Sequence, residues 1–179
     1  MKKLLVSPSP HIHSSVSTKT IMRDVVIALA PAVICAFLFY GWYSLAVMVV
    51  SVAASIAIEW AVAKWLLKSP DTPCLWASAV TGLLLALSLP PSIPLWIVLI
   101  GDLFAIGVVK MTFGGLGQNV FNPALVGRVF LLISFPTYMT DWTIPNGFIH
   151  SSDAVSGATL LGRYAEGGVD AIAGTDYLN

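Results

Sequence analysis

Long apolar runs, broken by short segments rich in proline, glycine or charge, are the feature that most constrains this chain. Five such runs lie at 25–42, 45–66, 75–89, 95–111 and 124–135. A helix over the first run would be about 27 Å long, just enough for a hydrocarbon core of about 30 Å. Only 10% of the 179 residues are charged and 57% are hydrophobic, which is too apolar for a soluble domain. The sequence therefore predicts an all-α integral membrane protein with about five transmembrane segments.

Proline and glycine predict where the first segments bend. Pro31 lies inside the first apolar run and predicts a kinked helix. A tight turn at Gly41, or just after it, is expected to send the chain back through 45–66. The run at 75–89 is short, so it either crosses the membrane with tilt or is partly re-entrant, and both alternatives stay open.

Segment 113–123 interrupts the apolar pattern with three glycines and two asparagines. Non-helical backbone at membrane depth is tolerated only inside protein or beside a cavity. Broken helices of this kind often frame ligand sites in transporters. The segment is therefore interpreted as a buried, functional break, with a plain loop between helices as the alternative.

The placement of basic residues predicts the orientation in the membrane. The basic residues near segment ends are Lys2, Lys3, Lys19, Arg23, Lys64, Lys68 and Lys110. Five crossings with the N-terminus inside put all of them on the cytoplasmic side, as the positive-inside rule prefers. Residues 1–22 are then a cytoplasmic arm, 23–135 the transmembrane unit and 136–179 an extracytoplasmic region. Nine basic and nine acidic residues cancel, so no nucleic-acid partner is indicated.

Two acidic residues lie within the apolar runs. Asp102 falls at mid-depth, where an ionisable group is costly and by default functional, so a role in ion passage is one hypothesis. A structural pairing with a polar group of a neighbouring helix is the alternative. Glu59 lies nearer an interface, where snorkelling or pairing is expected. No residue spacing indicates a metal site.

The segment Asp-Ala-Val-Ser-Gly-Ala-Thr at 153–159 is polar and made mostly of small residues. It adds little to a core, because Gly, Ala and Ser bury almost no surface. It is suited to exposing the hydroxyl of Thr159 to close approach by another molecule, although an ordinary polar loop would have the same composition.

Several separated motifs follow one another in an order typical of a known family. They are Ser-Pro-Ser-Pro-His at 7–11, Arg-Asp-Val-Val-Ile-Ala-Leu-Ala-Pro-Ala at 23–32, Val-Thr-Gly-Leu-Leu-Leu-Ala-Leu-Ser-Leu-Pro-Pro at 80–91, Phe-Gly-Gly-Leu-Gly-Gln-Asn at 113–119, Phe-Asn-Pro-Ala at 121–124 and Ser-Gly-Ala-Thr at 156–159. Together they resemble the RnfD component of the Rnf electron-transport complex, which is related to the NqrB component of the sodium-pumping NADH:quinone oxidoreductase. The short N-terminal arm favours the Rnf component.

The resemblance implies a fold and a cofactor. The fold is a bundle of two inverted repeats similar to urea transporters, of which this chain carries the first repeat and not the second. The cofactor is FMN, joined by a phosphoester bond to Thr159, with a recognition sequence for an extracytoplasmic flavin transferase. That recognition sequence comprises Asp153, Ser156, Gly157 and Ala158. The residues Gly115, Asn119 and Asn122 would border a second, non-covalent flavin such as riboflavin.

The function implied by the resemblance is that of a membrane redox subunit in an ion-translocating ferredoxin:NAD+ oxidoreductase. Electrons would pass through the flavin, coupled to Na+ or H+ transport, so no side chain is expected to be catalytic in itself. The implied location is a bacterial or archaeal plasma membrane, with other Rnf subunits and lipid as partners. An NqrB-like component of the quinone-reducing enzyme and a solute channel without redox activity are the alternatives.

Overall fold

The computed structural model describes residues 17–66, 75–143 and 156–157, and helices make up most of this part of the chain. The helices are α1 (Thr18–Ala61), α2 (Leu75–Ser88), α3 (Leu95–Asp102), α4 (Pro123–Ser134) and α5 (Pro136–Thr140). Two π-helical stretches extend α1 and α3 without interruption, at Val62–Leu66 and Leu103–Lys110. Two short strands, β1 (Trp142–Thr143) and β2 (Ser156–Gly157), pair antiparallel.

The first two apolar runs lie in α1, which consists of two helical stretches joined by a kink at Gly41. This residue has φ of 74° and ψ of −157°, a backbone conformation that L side chains rarely adopt and that glycine permits. The kink lies at the residue where the sequence predicts a tight turn. Pro31 lies inside α1 with helical backbone angles, so the helix continues through it.

The second half of α1 has one buried face, and it is unusually polar. The buried residues recur every three or four positions, as one face of a helix requires. They are Ser44, Val47, Met48, Ser51, Ser55 and Glu59. Val47 and Met48 join the main hydrophobic core, where Leu85 of α2, Ile97 of α3 and Leu131 of α4 are also buried. The remaining polar members of this face point into the same interior and need polar partners there.

The outer surface of the helices is apolar. Ile34, Trp42, Leu66, Leu103 and Ile133 are each more than half exposed. Such a surface suits contact with lipid tails and would promote association in water. Among the described residues, one helix, Thr18–Leu66, is long and apolar enough to cross a membrane, whereas Leu75–Ser88 and Pro123–Ser134 are shorter apolar helices.

Helix α4 packs closely on the π-helical segment that follows α3. The rings of Phe104 and Phe130 stack with their centroids 4.0 Å apart. A Cβ atom on Gly127 would lie 2.9 Å from the Cβ of Ala105, so a small residue is needed at this contact. Close approach through small residues is typical of helix pairs in membranes.

One end of the bundle carries the strand pair. The Tyr43 hydroxyl, at the start of the second half of α1, donates to the carbonyl of Ile93 at 3.0 Å. In the same loop, the Ser92 hydroxyl donates to the carbonyl of Asp141 at 3.1 Å, one residue before β1. Trp142 of β1 also borders a cavity of about 160 Å³ shared with Ser44. The strand pair therefore lies at the end of the bundle marked by Tyr43.

Candidate functional site

The first buried polar group is an ion pair and is named here the Glu59 cluster (Glu59, Ser78 and Lys110). Glu59 Oε2 accepts hydrogen bonds from the Lys110 ammonium and from the Ser78 hydroxyl. The side chains of Lys110 and Glu59 are 2% and 6% exposed. The pairing expected as one alternative for Glu59 is confirmed. Lys110 was predicted to mark the cytoplasmic interface, but its side chain is buried, because it neutralises a carboxylate inside the bundle.

The second buried polar group is named the Asp102 cluster (Asp102, Ser51, Ser55 and the carbonyl of Gly82). Asp102 is fully buried at the end of α3, where the backbone changes to π-helical geometry. Its Oδ1 atom accepts from the Ser51 hydroxyl at 3.0 Å and from the Ser55 hydroxyl at 2.9 Å. The Ser51 hydroxyl also lies 2.8 Å from the Gly82 carbonyl oxygen. Asp102 Oδ2 has no hydrogen-bond partner and is the one such buried side-chain atom in the described part of the chain.

The absence of a side chain at Gly82 brings α2 against the serines of α1. A Cβ atom at this position would lie 2.5 Å from Ser55 Oγ and 2.8 Å from the carbonyl oxygen of Ser51. Real atoms do not approach so closely, so any larger residue would displace the two helices or turn the Ser55 side chain. Gly82 therefore holds its own carbonyl within hydrogen-bond distance of Ser51.

The two clusters lie along one face of α1, with Ser55 and Glu59 one helical turn apart. The sequence predicted only part of each cluster. Asp102 and Glu59 are conspicuous as acids within apolar runs, whereas Ser51 and Ser55 are not. The missed signal is the spacing of polar residues at 44, 51, 55 and 59, which places them on one helical face. In an apolar helix, such a polar stripe indicates partners in the bundle interior.

The broken segment between the π-helical stretch and α4 is mostly exposed, so the burial expected for 113–123 is not found within the described chain. Its own polar residues hold it in shape. Gly114, Gly115 and Gly117 have φ of 101°, 87° and 88°, which glycine adopts readily. The side-chain amide of Asn119 is assigned with its nitrogen facing the backbone carbonyls of Gly115 and Lys110. In this orientation it donates to both carbonyls at 3.0 Å. Residues 115 and 119 of the expected second flavin site thus meet, and the Asn119 contact joins the loop to the backbone of the Glu59 cluster.

Asn122, the third residue expected at a second flavin, has a separate task. Its side-chain oxygen accepts from the backbone N–H of Ala124 at 3.0 Å and so caps the start of α4. Pro123 follows at the first helical position, where a missing N–H costs nothing. The structure therefore gives Asn119 and Asn122 roles in shaping the loop, while Asp102 lies elsewhere, in the bundle interior.

The proposed attachment motif is described at two positions. Ser156 and Gly157 form β2, in register with Thr143 and Trp142 of β1. Asp153, Ala158 and Thr159 lie outside the described residues. Tyr43, at the strand-pair end, and Glu59 are about 24 Å apart along α1 at 1.5 Å per residue. Ser156 and Gly157 therefore lie at the opposite end of the bundle from the Glu59 cluster.

Comparison with known proteins agrees with the motifs across the chain. The family model described as the NQR2, RnfD, RnfE family matches residues 5–178. The chain belongs to this family. The match includes both buried clusters, the broken segment and the Asp153–Thr159 motif.

Relatives within the NQR2, RnfD, RnfE family are named as D components of ion-translocating complexes. The chain is 48% identical over 158 residues to the D component of the Na(+)-translocating ferredoxin:NAD(+) oxidoreductase complex of Acetobacterium woodii, covering 88% of this chain and 48% of the relative. It is 39% identical over 182 residues to the D component of the ion-translocating oxidoreductase complex of Shewanella denitrificans, covering 94% of this chain and 51% of the relative. The chain thus spans about half the length of the curated relatives it matches.

Proposed function

We propose that this chain is part of a membrane redox subunit of an Rnf-type ion-translocating ferredoxin:NAD+ oxidoreductase and carries FMN on Thr159. The observation that carries the proposal is the intact Asp153–Thr159 motif in a chain of the NQR2, RnfD, RnfE family. The names of the relatives supply the reaction class and the other subunits as partners.

The position of β2 supports attachment outside the buried bundle. Gly157 is paired to β1 at the end marked by Tyr43, and Thr159 follows it by two residues in the sequence. A hydroxyl next to small residues in the sequence is open to close approach by a separate enzyme. Because an alkyl hydroxyl is a poor nucleophile at neutral pH, a flavin transferase has to activate it. Asp153, Ser156, Gly157 and Ala158 would then form the sequence that the transferase binds.

Covalent attachment suits an electron carrier in a membrane complex. The flavin supplies the redox chemistry, and the protein holds it at a fixed distance from its electron donors and acceptors. The proposed orientation puts Thr159 on the extracytoplasmic side and the Glu59 cluster near the cytoplasmic side, in a plasma membrane. The proposed architecture is a five-span first repeat of an inverted-repeat, urea-transporter-like bundle.

The coupling of electron transfer to Na+ or H+ movement is the second part of the proposal. Asp102 is the residue proposed for the ion path, because it is a buried acid without a basic partner among the described residues. A second, non-covalent flavin beside Gly115, Asn119 and Asn122 is also proposed. It has to coexist with the hydrogen bonds that Asn119 and Asn122 make in the loop.

Fluorescence of the denatured protein tests the flavin assignment. The protein is produced together with a flavin transferase, separated on a denaturing gel and viewed under ultraviolet light. The wild-type band is expected to fluoresce and to gain the mass of FMN less one water, because a phosphoester survives denaturation. Thr159→Ala is expected to lose both signals.

Thr143→Ala is the matched control, because it removes a threonine hydroxyl from the strand that pairs with Ser156. It is expected to keep the flavin. A wild-type protein without covalent flavin, or a fluorescent Thr159→Ala band, would contradict the assignment.

A further inference from the structure

We propose that the Asp102 cluster is a binding site for one dehydrated sodium ion. Its ligands are oxygen atoms of Asp102, Ser51, Ser55 and Gly82. The proposal deepens the ion-coupling part of the proposed function and rests on it, but it concerns residues other than those of the flavin motif.

The count of buried charges is the first argument. The described bundle interior holds two carboxylates, Glu59 and Asp102, and one ammonium, Lys110. Lys110 pairs with Glu59, so the carboxylate of Asp102 has no counter-charge in the described part of the chain. An uncompensated charge in an apolar interior is strongly unfavourable. The described interior therefore lacks one positive charge at Asp102, which either a proton or a bound cation can supply.

The count of protons in the Asp102 cluster gives the same result independently. The Ser51 hydroxyl has one proton but faces two acceptors, the Gly82 carbonyl at 2.8 Å and Asp102 Oδ1 at 3.0 Å. The Ser55 hydroxyl uses its proton on Asp102 Oδ1. One of the two contacts of Ser51 Oγ, to the Gly82 carbonyl or to Asp102 Oδ1, therefore has no proton between its oxygen atoms. In addition, Asp102 Oδ2 has no hydrogen-bond partner. A bound cation supplies what both atoms lack.

The chemistry of the ligands selects the kind of cation. All of them are oxygen atoms, from a carboxylate, two hydroxyls and a backbone carbonyl, which hard cations prefer. A single negative charge balances a monovalent ion, whereas a divalent ion would leave an excess positive charge in the apolar interior. Contacts of 2.8 to 3.0 Å between the oxygens form a compact set, which favours a small ion over potassium.

The position in the fold is suited to an ion that enters and leaves. Asp102 lies at the C-terminal end of α3, where the chain changes to a π-helical segment. Departures from α-helical geometry of this kind often accompany functional sites. Gly82 completes the set, because a Cβ there would displace Ser55.

Labelling with dicyclohexylcarbodiimide tests the proposal on the wild-type protein in its membranes. The reagent requires a protonated carboxyl group: the proton moves to one nitrogen, the carboxyl oxygen bonds to the central carbon, and the acyl group then migrates to nitrogen. The product is a stable N-acylurea, and no atom is lost. Digestion and mass spectrometry then identify the labelled residue.

The expected result is labelling of Asp102 that Na+ suppresses. At a Na+ concentration ten times its dissociation constant, labelling should fall about tenfold, because only the empty site can be protonated. K+ at the same ionic strength should protect far less. Glu59 serves as an internal reference, because it already accepts hydrogen bonds from Lys110 and Ser78 and its labelling should not depend on Na+.

Serine variants test the ligand set. Ser51→Ala and Ser55→Ala should each weaken protection by Na+ while Asp102 remains reactive. Ser44→Ala is the matched control, because Ser44 is buried on the same face of α1 without belonging to the cluster. In this variant, Na+ should protect Asp102 from labelling as it does in the wild type. The comparison of Na+ with K+ on the wild type decides the matter even if a variant fails to fold.

Three outcomes would overturn the proposal. Asp102 labelled equally with and without Na+ would make it a site for protons only. Absence of labelling at any pH would mean that no exchangeable cation reaches it. Unchanged Na+ protection in the Ser51→Ala, Ser55→Ala double variant would mean that these hydroxyls are not ligands. Flavin fluorescence of the same samples reports separately on the redox assignment, so the two failures are distinguishable.

Discussion

The Glu59 and Asp102 clusters share one face of α1 but differ in how their charge is balanced. In the Glu59 cluster, an ammonium and a hydroxyl donate to the carboxylate, and each charge is matched within the protein. In the Asp102 cluster, two hydroxyls and a carbonyl surround a carboxylate whose Oδ2 atom remains unpartnered. The carboxylate of Glu59 is therefore balanced by a charge within the protein, whereas that of Asp102 is not.

This difference separates a structural role from an exchange role for buried acids. Lys110 cannot leave Glu59 without exposing two charges to an apolar interior, so the pair fixes α1 against the π-helical segment. No basic side chain in the described part of the chain pairs with Asp102, so a proton or a bound cation has to neutralise it. Variants that remove one charge at a time measure how far the two clusters differ.

Glu59→Gln should produce the largest effect. The substitution keeps the size of the side chain but leaves the Lys110 ammonium buried without a counter-charge. Breaking a buried pair in this way costs roughly 3–5 kcal/mol. The unfolding temperature of the purified protein in detergent should fall strongly. Tryptophan fluorescence during heating measures it.

Lys64→Met is the control for removal of a lysine charge near the same end of α1. Lys64 is exposed and lies 4.6 Å from the ring centroid of Trp60, a contact worth about 0.5–1 kcal/mol. The double variant Glu59→Leu, Lys110→Met should recover most of the lost stability, because it leaves no buried charge. A mild effect of Glu59→Gln, equal to that of Lys64→Met, would mean that the pair is not buried in the membrane-embedded protein.

Gly82→Ala should have an intermediate effect, centred on the Asp102 cluster. Its Cβ atom would meet Ser55 Oγ at 2.5 Å and the Ser51 carbonyl oxygen at 2.8 Å. Overpacking of this kind destabilises by about 1–3 kcal/mol. The unfolding temperature in detergent should fall, and protection of Asp102 by Na+ should weaken in the same variant.

Gly107→Ala is the matched substitution, in the π-helical segment that follows Asp102. There the nearest atom to a new Cβ is Leu103 Cδ1, at an ordinary contact distance of 3.8 Å. Because alanine loses less backbone entropy than glycine on folding, stability should stay level or rise by roughly 0.5–1 kcal/mol. Equal losses at both positions would show that α2 does not approach α1 as closely as described.

The sequence predicted the features that depend on a single residue's own chemistry. The freedom of glycine predicted a tight turn at or just after Gly41, and a kink with a positive φ lies at that residue. The cost of an acid in an apolar run identified Asp102 and Glu59 as residues with special partners. The family followed from motifs that are contiguous in the chain, which a match over residues 5–178 bears out.

Features that depend on contacts between helices were beyond the sequence. Lys110 was assigned to an interface because it ends an apolar run, and only the packing of α1 against the π-helical segment turns it towards Glu59. Ser55 and Asp102 are 47 residues apart, so their spacing gives no sign of the contact. The π-helical stretches had no sequence signal.

Asp102→Asn should have the smallest effect on stability and gives the sharpest contrast with Glu59→Gln. The amide keeps the shape of the carboxyl group, removes the charge and leaves no opposite charge behind. Its NH2 group can donate to Ser51 Oγ, which then donates to the Gly82 carbonyl. The unfolding free energy should change by about 1 kcal/mol or less, and the added stability that Na+ gives the wild type should disappear. The measurement is the unfolding temperature with Na+ and with K+ for both proteins. A loss as large as that of Glu59→Gln would mean that Asp102 has a fixed counter-charge, and the distinction between the two clusters would then not hold.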